Sequence, residues 1–290
     1  MRDALSQSAM EYLMTYGWSI LIVAVVLGAL AYLGVFNPLY FAPKANPGSC
    51  QVFRPNGAET SYDINLLGVC NGEIPEYVSS LNGFPDYISV PDSSSIEFMG
   101  ENSITMSGWV YLTSYTNDRS IVAEHLCQYY FTVANGGYLS VYFYGVGGYY
   151  TLYSSIIPLN KWTYIAATYN GVDVNLYVNG NFGIEYNAPG TIEYCGAPYN
   201  RALDIGNEAG VSRQFYGSIS NVQIYNTSLD QNSITALYQE GIGGVPIDLQ
   251  NLAGWWPLNG NANDYSGNGN NGVPANVVYT SSWISSYNPP

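Results

Sequence analysis

The stretch Lys161-Trp162-Thr163-Tyr164-Ile165-Ala166-Ala167-Thr168-Tyr169-Asn170-Gly171-Val172-Asp173-Val174-Asn175-Leu176-Tyr177-Val178-Asn179-Gly180 decides the fold. Two runs that suit strands, Lys161–Tyr169 and Val172–Val178, flank Asn170-Gly171, and Asn179-Gly180 turns the chain again. An Asn-Gly pair between such runs is a hairpin signal, because both turn residues must take positive φ. The same grammar extends outward. Tyr129–Val133 and Tyr138–Tyr144 flank Asn135-Gly136-Gly137, and Tyr149–Ser154 continues the meander. Ser103–Leu112 alternates with period two, placing Ile104, Met106, Val110 and Leu112 on one face and Thr105, Ser107, Trp109 and Tyr111 on the other. Tyr87–Pro91, Ser120–Leu126, Leu203–Gly206 and Phe215–Tyr225 read as further strands. One helix is predicted over Asp230–Gln239, with Ile234, Leu237 and Tyr238 as its apolar stripe and Gly241 as its stop. Spacing of this kind predicts a mainly β fold, an antiparallel two-sheet sandwich.

Composition agrees and excludes several functions. Of 290 residues 47% are hydrophobic and 15% aromatic, which does not fit a disordered chain. Seven Lys+Arg against 21 Asp+Glu leave a net charge of −14, so no basic stripe for nucleic acid exists. With 31 Gly and 29 Tyr, the chain suits a turn-rich β domain outside the cell.

The strand motifs resemble those of the laminin-G-like, concanavalin A-like jelly roll. They are Leu81-Asn82-Gly83, Asp86–Pro91, Ser107–Tyr111, Lys161–Tyr169, Leu176–Gly180, Leu203–Gly206 and Phe215–Tyr225, in the family's order. The resemblance covers Ser79–Gly241. The family's opening segment is displaced: its counterpart here is Gly254-Trp255-Trp256-Pro257-Leu258-Asn259-Gly260-Asn261-Ala262-Asn263-Asp264-Tyr265-Ser266-Gly267-Asn268-Gly269-Asn270-Asn271-Gly272. The expected domain, 79–290, therefore reads as circularly permuted, with the first strand moved to the C-terminus. The alternative is the truncated start of a second copy.

Residues ahead of the sandwich carry a second signal. Trp18–Phe36 contains no charged residue, and 19 helical residues span about 28 Å, close to the ~30 Å of a bilayer core. Pro38 ends the run. Its length and the lack of a small-x-small site make a secretory signal peptide a poor fit. Gln7–Phe36, beginning QSAMEYLMTYGW, resembles the N-terminus of archaeal type IV pilin-like proteins with a class III signal peptide. That resemblance implies a leader, 1–6, cut by a prepilin peptidase between Ser6 and Gln7, and a membrane and filament-core helix, 7–36. It also places Glu11 at the family's glutamate, where the new α-amine of Gln7 is a natural partner for a carboxylate on an apolar helix. The implied partners are the membrane and copies of the chain in a helical filament. The implied location is membrane-inserted before assembly and cell-surface afterwards.

Between the two parts, 37–78 reads as a Pro-containing linker followed by a small β segment. Its Cys50 and Cys70 would close one disulfide, with Cys127 and Cys195 forming the other; four cysteines allow three pairings. A zinc site is the rival, but no CxxC occurs and His125 is the only histidine. Asn226-Thr227-Ser228 is a glycosylation sequon.

Candidate chemistry concentrates in two places. Within Asn259–Gly272, Asp264 and Asn268, with neighbouring carbonyls, could supply oxygens for Ca²⁺, which the resembling family often holds near this segment. A loop held by Asx hydrogen bonds is the alternative. The second place is the tyrosine cluster Tyr129, Tyr130, Tyr142, Tyr144, Tyr149, Tyr150 and Tyr153, with Tyr142 and Tyr144 as candidate contacts for a glycan or cell-surface ligand. An enzyme is not expected: no E-x-D-x-x-E pattern occurs, and no strand offers carboxylates at i and i+2 to stand about 5 Å apart. The sequence thus reads as an adhesive subunit of a pilus-like filament displaying a laminin-G-like domain. A membrane-tethered carbohydrate-binding protein that never polymerises is the alternative, and an exported glycan hydrolase a distant third.

Overall fold

The computed structural model describes residues 21–28, 74–98, 100–115, 121, 128–193, 202–206, 213–288 and 290, and the backbone alone of 50–53, 61–64, 119–120 and 122–124. The chain divides into two units, Met1–Asn46 and Pro47–Pro290. In the first, a helix (α1) covers residues 21–28, and all eight are exposed. Among the described residues no helix is long and apolar enough to cross a membrane. Ser6, Gln7, Glu11 and the rest of the expected 7–36 helix lie outside the described residues.

The second unit opens with a small antiparallel pair, β1 (Cys50–Phe53) and β2 (Ser61–Ile64), where two short strands were expected. The side chains of Cys50, Cys70, Cys127 and Cys195 lie outside the described residues.

The sandwich follows. Its strands are β3 (Val78–Asn82), β4 (Tyr87–Val90), β5 (Ile104–Leu112), β6 (Arg119–Glu124), β7 (Tyr129–Ala134), β8 (Tyr138–Phe143), β9 (Tyr149–Ile156), β10 (Trp162–Tyr169), β11 (Asp173–Val178), β12 (Asn181–Asn187), β13 (Leu203–Ile205), β14 (Tyr216–Tyr225), β15 (Leu252–Trp256), β16 (Val273–Ala275) and β17 (Val278–Thr280). One sheet runs β12-β11-β10-β5-β14-β3-β17, with β15 also on β14. The other runs β16-β4-β13-β6-β7-β8-β9. Among the described residues every pairing between these strands is antiparallel. Alternate residues of both sheets, among them Met106, Val110, Phe131, Val141, Ile165, Leu176 and Ile219, form one core between the layers.

The quoted stretch forms its hairpin, but of Asn170-Gly171 only Gly171 takes positive φ (90°), whereas Asn179 and Gly180 both do (50° and 71°). Tyr169 pairs with Val174 around Asn170-Gly171, and β12 continues after Asn179-Gly180 as a third strand that the sequence reading did not separate. Gly136 and Gly137 turn the β7–β8 hairpin with φ of 90° and 87°.

On the other face of β5, Thr105, Ser107 and Trp109 are buried as well. Trp109 is 1% exposed because a helix, α2 (Gln231–Gln239), lays Tyr238 over it at 5.7 Å, and Tyr287 from the C-terminal tail meets its edge at 5.5 Å. Asp230 caps α2 by accepting the Ser233 N–H at 2.8 Å, and Ile234 and Leu237 turn inward.

The displaced segment lies inside the same sandwich. β3 pairs with Tyr216–Ile219 of β14, and β15 pairs with Val222–Tyr225, so the two share one edge of β14 end to end. Beyond the loop, β16 joins β4 and β17 joins β3. The returning C-terminus therefore supplies three strands rather than one, and Trp256 and Leu258 are fully buried in the common core. β15, β16 and β17 thus belong to the same two sheets as β3–β14.

Candidate functional site

The outward faces of β7, β8 and β9 form a surface of three rows. Register sets Tyr130 opposite Tyr142, and Tyr142 opposite Tyr149. Two residues along each strand, Thr132, Ser140 and Thr151 make the next row, and all three are buried. Tyr138 and Tyr153 make the third, with ring centroids 5.3 Å apart. The period of two that sends Tyr129, Phe131, Leu139, Val141 and Phe143 into the core sends these residues outward.

The first aromatic row is closely coupled. Tyr130 and Tyr142 stand 5.5 Å apart and Tyr142 and Tyr149 4.9 Å apart, all tilted. Arg213, from the segment before β14, lies 5.2 Å from the Tyr130 ring and 5.7 Å from the Tyr149 ring. Its Nη2 donates to the Tyr149 hydroxyl at 2.8 Å. A guanidinium over aromatic faces is held by their negative quadrupoles and fixes the rings in return. Burial, then the neighbouring Tyr149 and Tyr144, raise the pKa of the Tyr142 hydroxyl, so at neutral pH it keeps its proton. In the middle row, Ser140 Oγ and Thr151 Oγ1 are 2.8 Å apart. The hydroxyls of this row are buried and bonded within it, so what the face offers a ligand is the exposed aromatic surface of Tyr149 and Tyr153 and the partly exposed Tyr142.

Tyr142 thus sits at the centre of the surface. Tyr144 lies just beyond the end of β8, half-buried, with its backbone N–H donated to Gln128 O and its carbonyl accepting from Glu193 N. Tyr129 is buried against Phe98 in the core and is not part of the surface. Arg213 escaped the sequence reading because nothing local ties it to strands more than sixty residues away.

The Asn-rich loop is organised by Asp264. Its Oδ1 accepts the backbone N–H of Trp255 at 3.0 Å and of Ser266 at 2.8 Å. Its Oδ2 accepts Ser266 Oγ–H at 2.8 Å and Asn270 N–H at 2.9 Å. Asn268 turns its Nδ2 toward the Leu252 and Ala253 carbonyls, at 2.9 and 3.0 Å. Both carboxylate oxygens serve N–H and O–H donors, and Asn268 presents its amide nitrogen to the carbonyls of the strand. This donor set fits the Asx-turn alternative; it does not fit Ca²⁺, which would need the same lone pairs. Asn226 is exposed just after β14, and its backbone N–H donates to Asn251 O at 2.9 Å. His125 lies outside the described residues.

Comparison with known proteins defines the class. The family model described as the concanavalin A-like lectin/glucanases superfamily, Laminin_G_3, matches residues 82–235, just over half of the chain. The chain belongs to that family. Among solved structures it is similar to a candidate carbohydrate-binding protein from Bacteroides ovatus, at 18% identity and a TM-score of 0.56. That match covers 72% of this chain and 60% of the other, so the chain spans less than two thirds of that protein's length. It is also similar to a heptameric SAP-like pentraxin from Limulus polyphemus, at 13% identity and a TM-score of 0.50, covering 70% of this chain and 94% of the pentraxin. At these identities the likeness is one of fold. No curated protein matches the sequence.

Proposed function

We propose that the sandwich is a carbohydrate-binding module, without catalytic activity, that binds through the outward face of β7–β9. The observation that carries this reading is the row of Tyr130, Tyr142 and Tyr149, braced by Arg213, in which Tyr149 is half-exposed and Tyr142 partly exposed. The Bacteroides ovatus relative, itself described as a candidate carbohydrate binder, supports it at the level of fold. Glycan-array binding by the full chain in detergent tests it. Tyr142→Ala and Tyr149→Ala each lower the affinity for the bound glycans tenfold or more while leaving the melting temperature within a few degrees. Unchanged array signals in both variants overturn the assignment.

We further propose that the module is displayed on a pilus-like filament, with residues 7–36 as its expected anchor. Leu21, Ile22, Val23, Val25, Val26 and Leu27 are each 49–62% exposed, a contiguous apolar surface that water does not favour. Covering them in lipid or against copies of the same helix stabilises by about 1 kcal/mol per side chain. Sheared cell fractions then contain pelletable filaments whose subunit begins at Gln7. Recovery only from detergent-extracted membranes favours the non-polymerising tether instead.

A further inference from the structure

A second cavity lies far in sequence from the tyrosine rows. It has a volume of about 340 Å³ and is bounded by β15, the loop after it, the bulge of β14 and the chain following α2. Its walls include Trp255, Pro257 and Tyr265, with Val245 at the mouth and Asn221 and Asn259 as polar groups. No lining residue carries a charge, although the chain as a whole carries −14.

The aromatic wall is fixed in advance. Trp255 Nε1 donates to Asn221 Oδ1 at 2.7 Å, and Asn221 is held in turn by Gln223 Nε2 at 3.0 Å and by its own Nδ2 bond to Gly244 O at 2.8 Å. Tyr265 meets Trp255 edge-on at 6.0 Å, and its backbone N–H donates to Trp255 O at 2.8 Å. The Asp264 bonds described above tie this loop to β15, so the residue nominated for calcium positions the aromatic pair. Two buried non-glycine residues, Asn221 at φ 51° and Leu258 at φ 58°, hold left-handed backbone beside the cavity. For leucine that conformation is a strained outlier, and such strain collects where a site over-determines the backbone. Asn259 spends its Oδ1 on Tyr77 N–H at 2.9 Å, while its Nδ2 donates to no described residue. Tyr265 is half-exposed, and its hydroxyl retains a donor proton after accepting from Asn261.

We infer that this cavity is a second binding site, for one neutral pyranose ring. An apolar and aromatic wall fits the C–H face of such a ring, and the Asn259 amide and Tyr265 hydroxyl suit its hydroxyl edge. The uncharged lining leaves nothing to pair with a carboxylate or ammonium group. The size is that of a small-ligand pocket, and the rigid wall lowers the ordering cost of binding. The site stands independently of the tyrosine rows of β7–β9.

The test is titration of the full chain in detergent with methyl glucopyranoside, methyl galactopyranoside and methyl mannopyranoside, followed by NMR of the indole N–H signals. The Trp255 signal is assigned with Trp255→Phe. At least one hexoside shifts that signal saturably at millimolar concentration. Tyr265→Ala and Val245→Trp, both at half-exposed positions, weaken that binding at least tenfold, while Tyr142→Ala leaves it unchanged. The inference is overturned if the Trp255 signal stays still with all three hexosides. It is equally overturned if Tyr142→Ala, rather than the two cavity variants, removes the response. Loss of array binding in Tyr142→Ala with retention of the Trp255 response separates the two sites.

Discussion

Asp264→Asn tests what holds the Asn-rich loop. The carboxylate accepts four hydrogen bonds, two on each oxygen. An amide of the same shape keeps one accepting oxygen, which can serve Trp255 N–H and Ser266 N–H. Its NH₂ then faces Ser266 Oγ, which can rotate to accept, and Asn270 N–H, which cannot. Asn270 is 3% exposed, so its donor is left without a partner. An unsatisfied buried donor costs about 1–3 kcal/mol, and the loss of charge assistance adds about 1 kcal/mol. Because Asp264 itself is half-buried, the lower part of that range applies, about 2–3 kcal/mol. For a unit of this size that lowers the melting temperature by roughly 4–12 °C. The assay is thermal unfolding of wild type and variant, each with EDTA and with added Ca²⁺. The variant melts lower under every condition, and wild type is indifferent to chelation. If EDTA lowers the wild-type melting temperature to that of Asp264→Asn and erases the difference, the carboxylate serves a cation and the hydrogen-bond account is wrong.

Two further predictions concern the frame. Trp256 is fully buried and donates its Nε1–H to Asn270 O at 2.8 Å, so Trp256→Ala costs about 3–5 kcal/mol by denaturant unfolding; a loss below about 1 kcal/mol would separate the C-terminal segment from the main core. Hydrogen bonds from Ser233 lower the pKa of the α2 cap Asp230. A lowered folded-state value means that the cap stabilises above the unfolded pKa and is lost as pH falls through the folded one. Asp230→Ala therefore costs about 1 kcal/mol at neutral pH, and its difference from wild type shrinks as pH falls below about 4. A difference that persists undiminished at pH 2 would contradict this.

The sandwich was legible because its signals are local. Asn170-Gly171 and Asn135-Gly136-Gly137 act within four residues, and period-two alternation assigns a face without reference to any partner. Of the tyrosine rows, Tyr130, Tyr142, Tyr149 and Tyr153 could be named as a cluster on adjacent meander strands, whereas Tyr138 was not among them and which cluster members share a face was given only by the pairing register. Strands as short as β16 and β17 carried too little pattern to be seen.

By itself, then, the sequence determined the mainly β class, the hairpins, the helix before Gly241, and the apolar character of residues 18–36. Only the tertiary structure decided the rest. Alternation assigns Trp109 to one face of its strand, but what covers that face is known only when Tyr238 of α2 and Tyr287 meet it. Arg213 gains meaning when the fold sets it above Tyr130 and Tyr149. Asp264 reads equally as a calcium ligand or as a turn residue until the donors around it are known. The Trp255–Tyr265 cavity needs the bulge of β14, the chain after α2 and the returned strand β15 to meet. The physical reason is common to all four: a side chain's chemistry is set by its neighbours in space, whereas local pattern specifies only its own conformation and the side of a strand on which it stands.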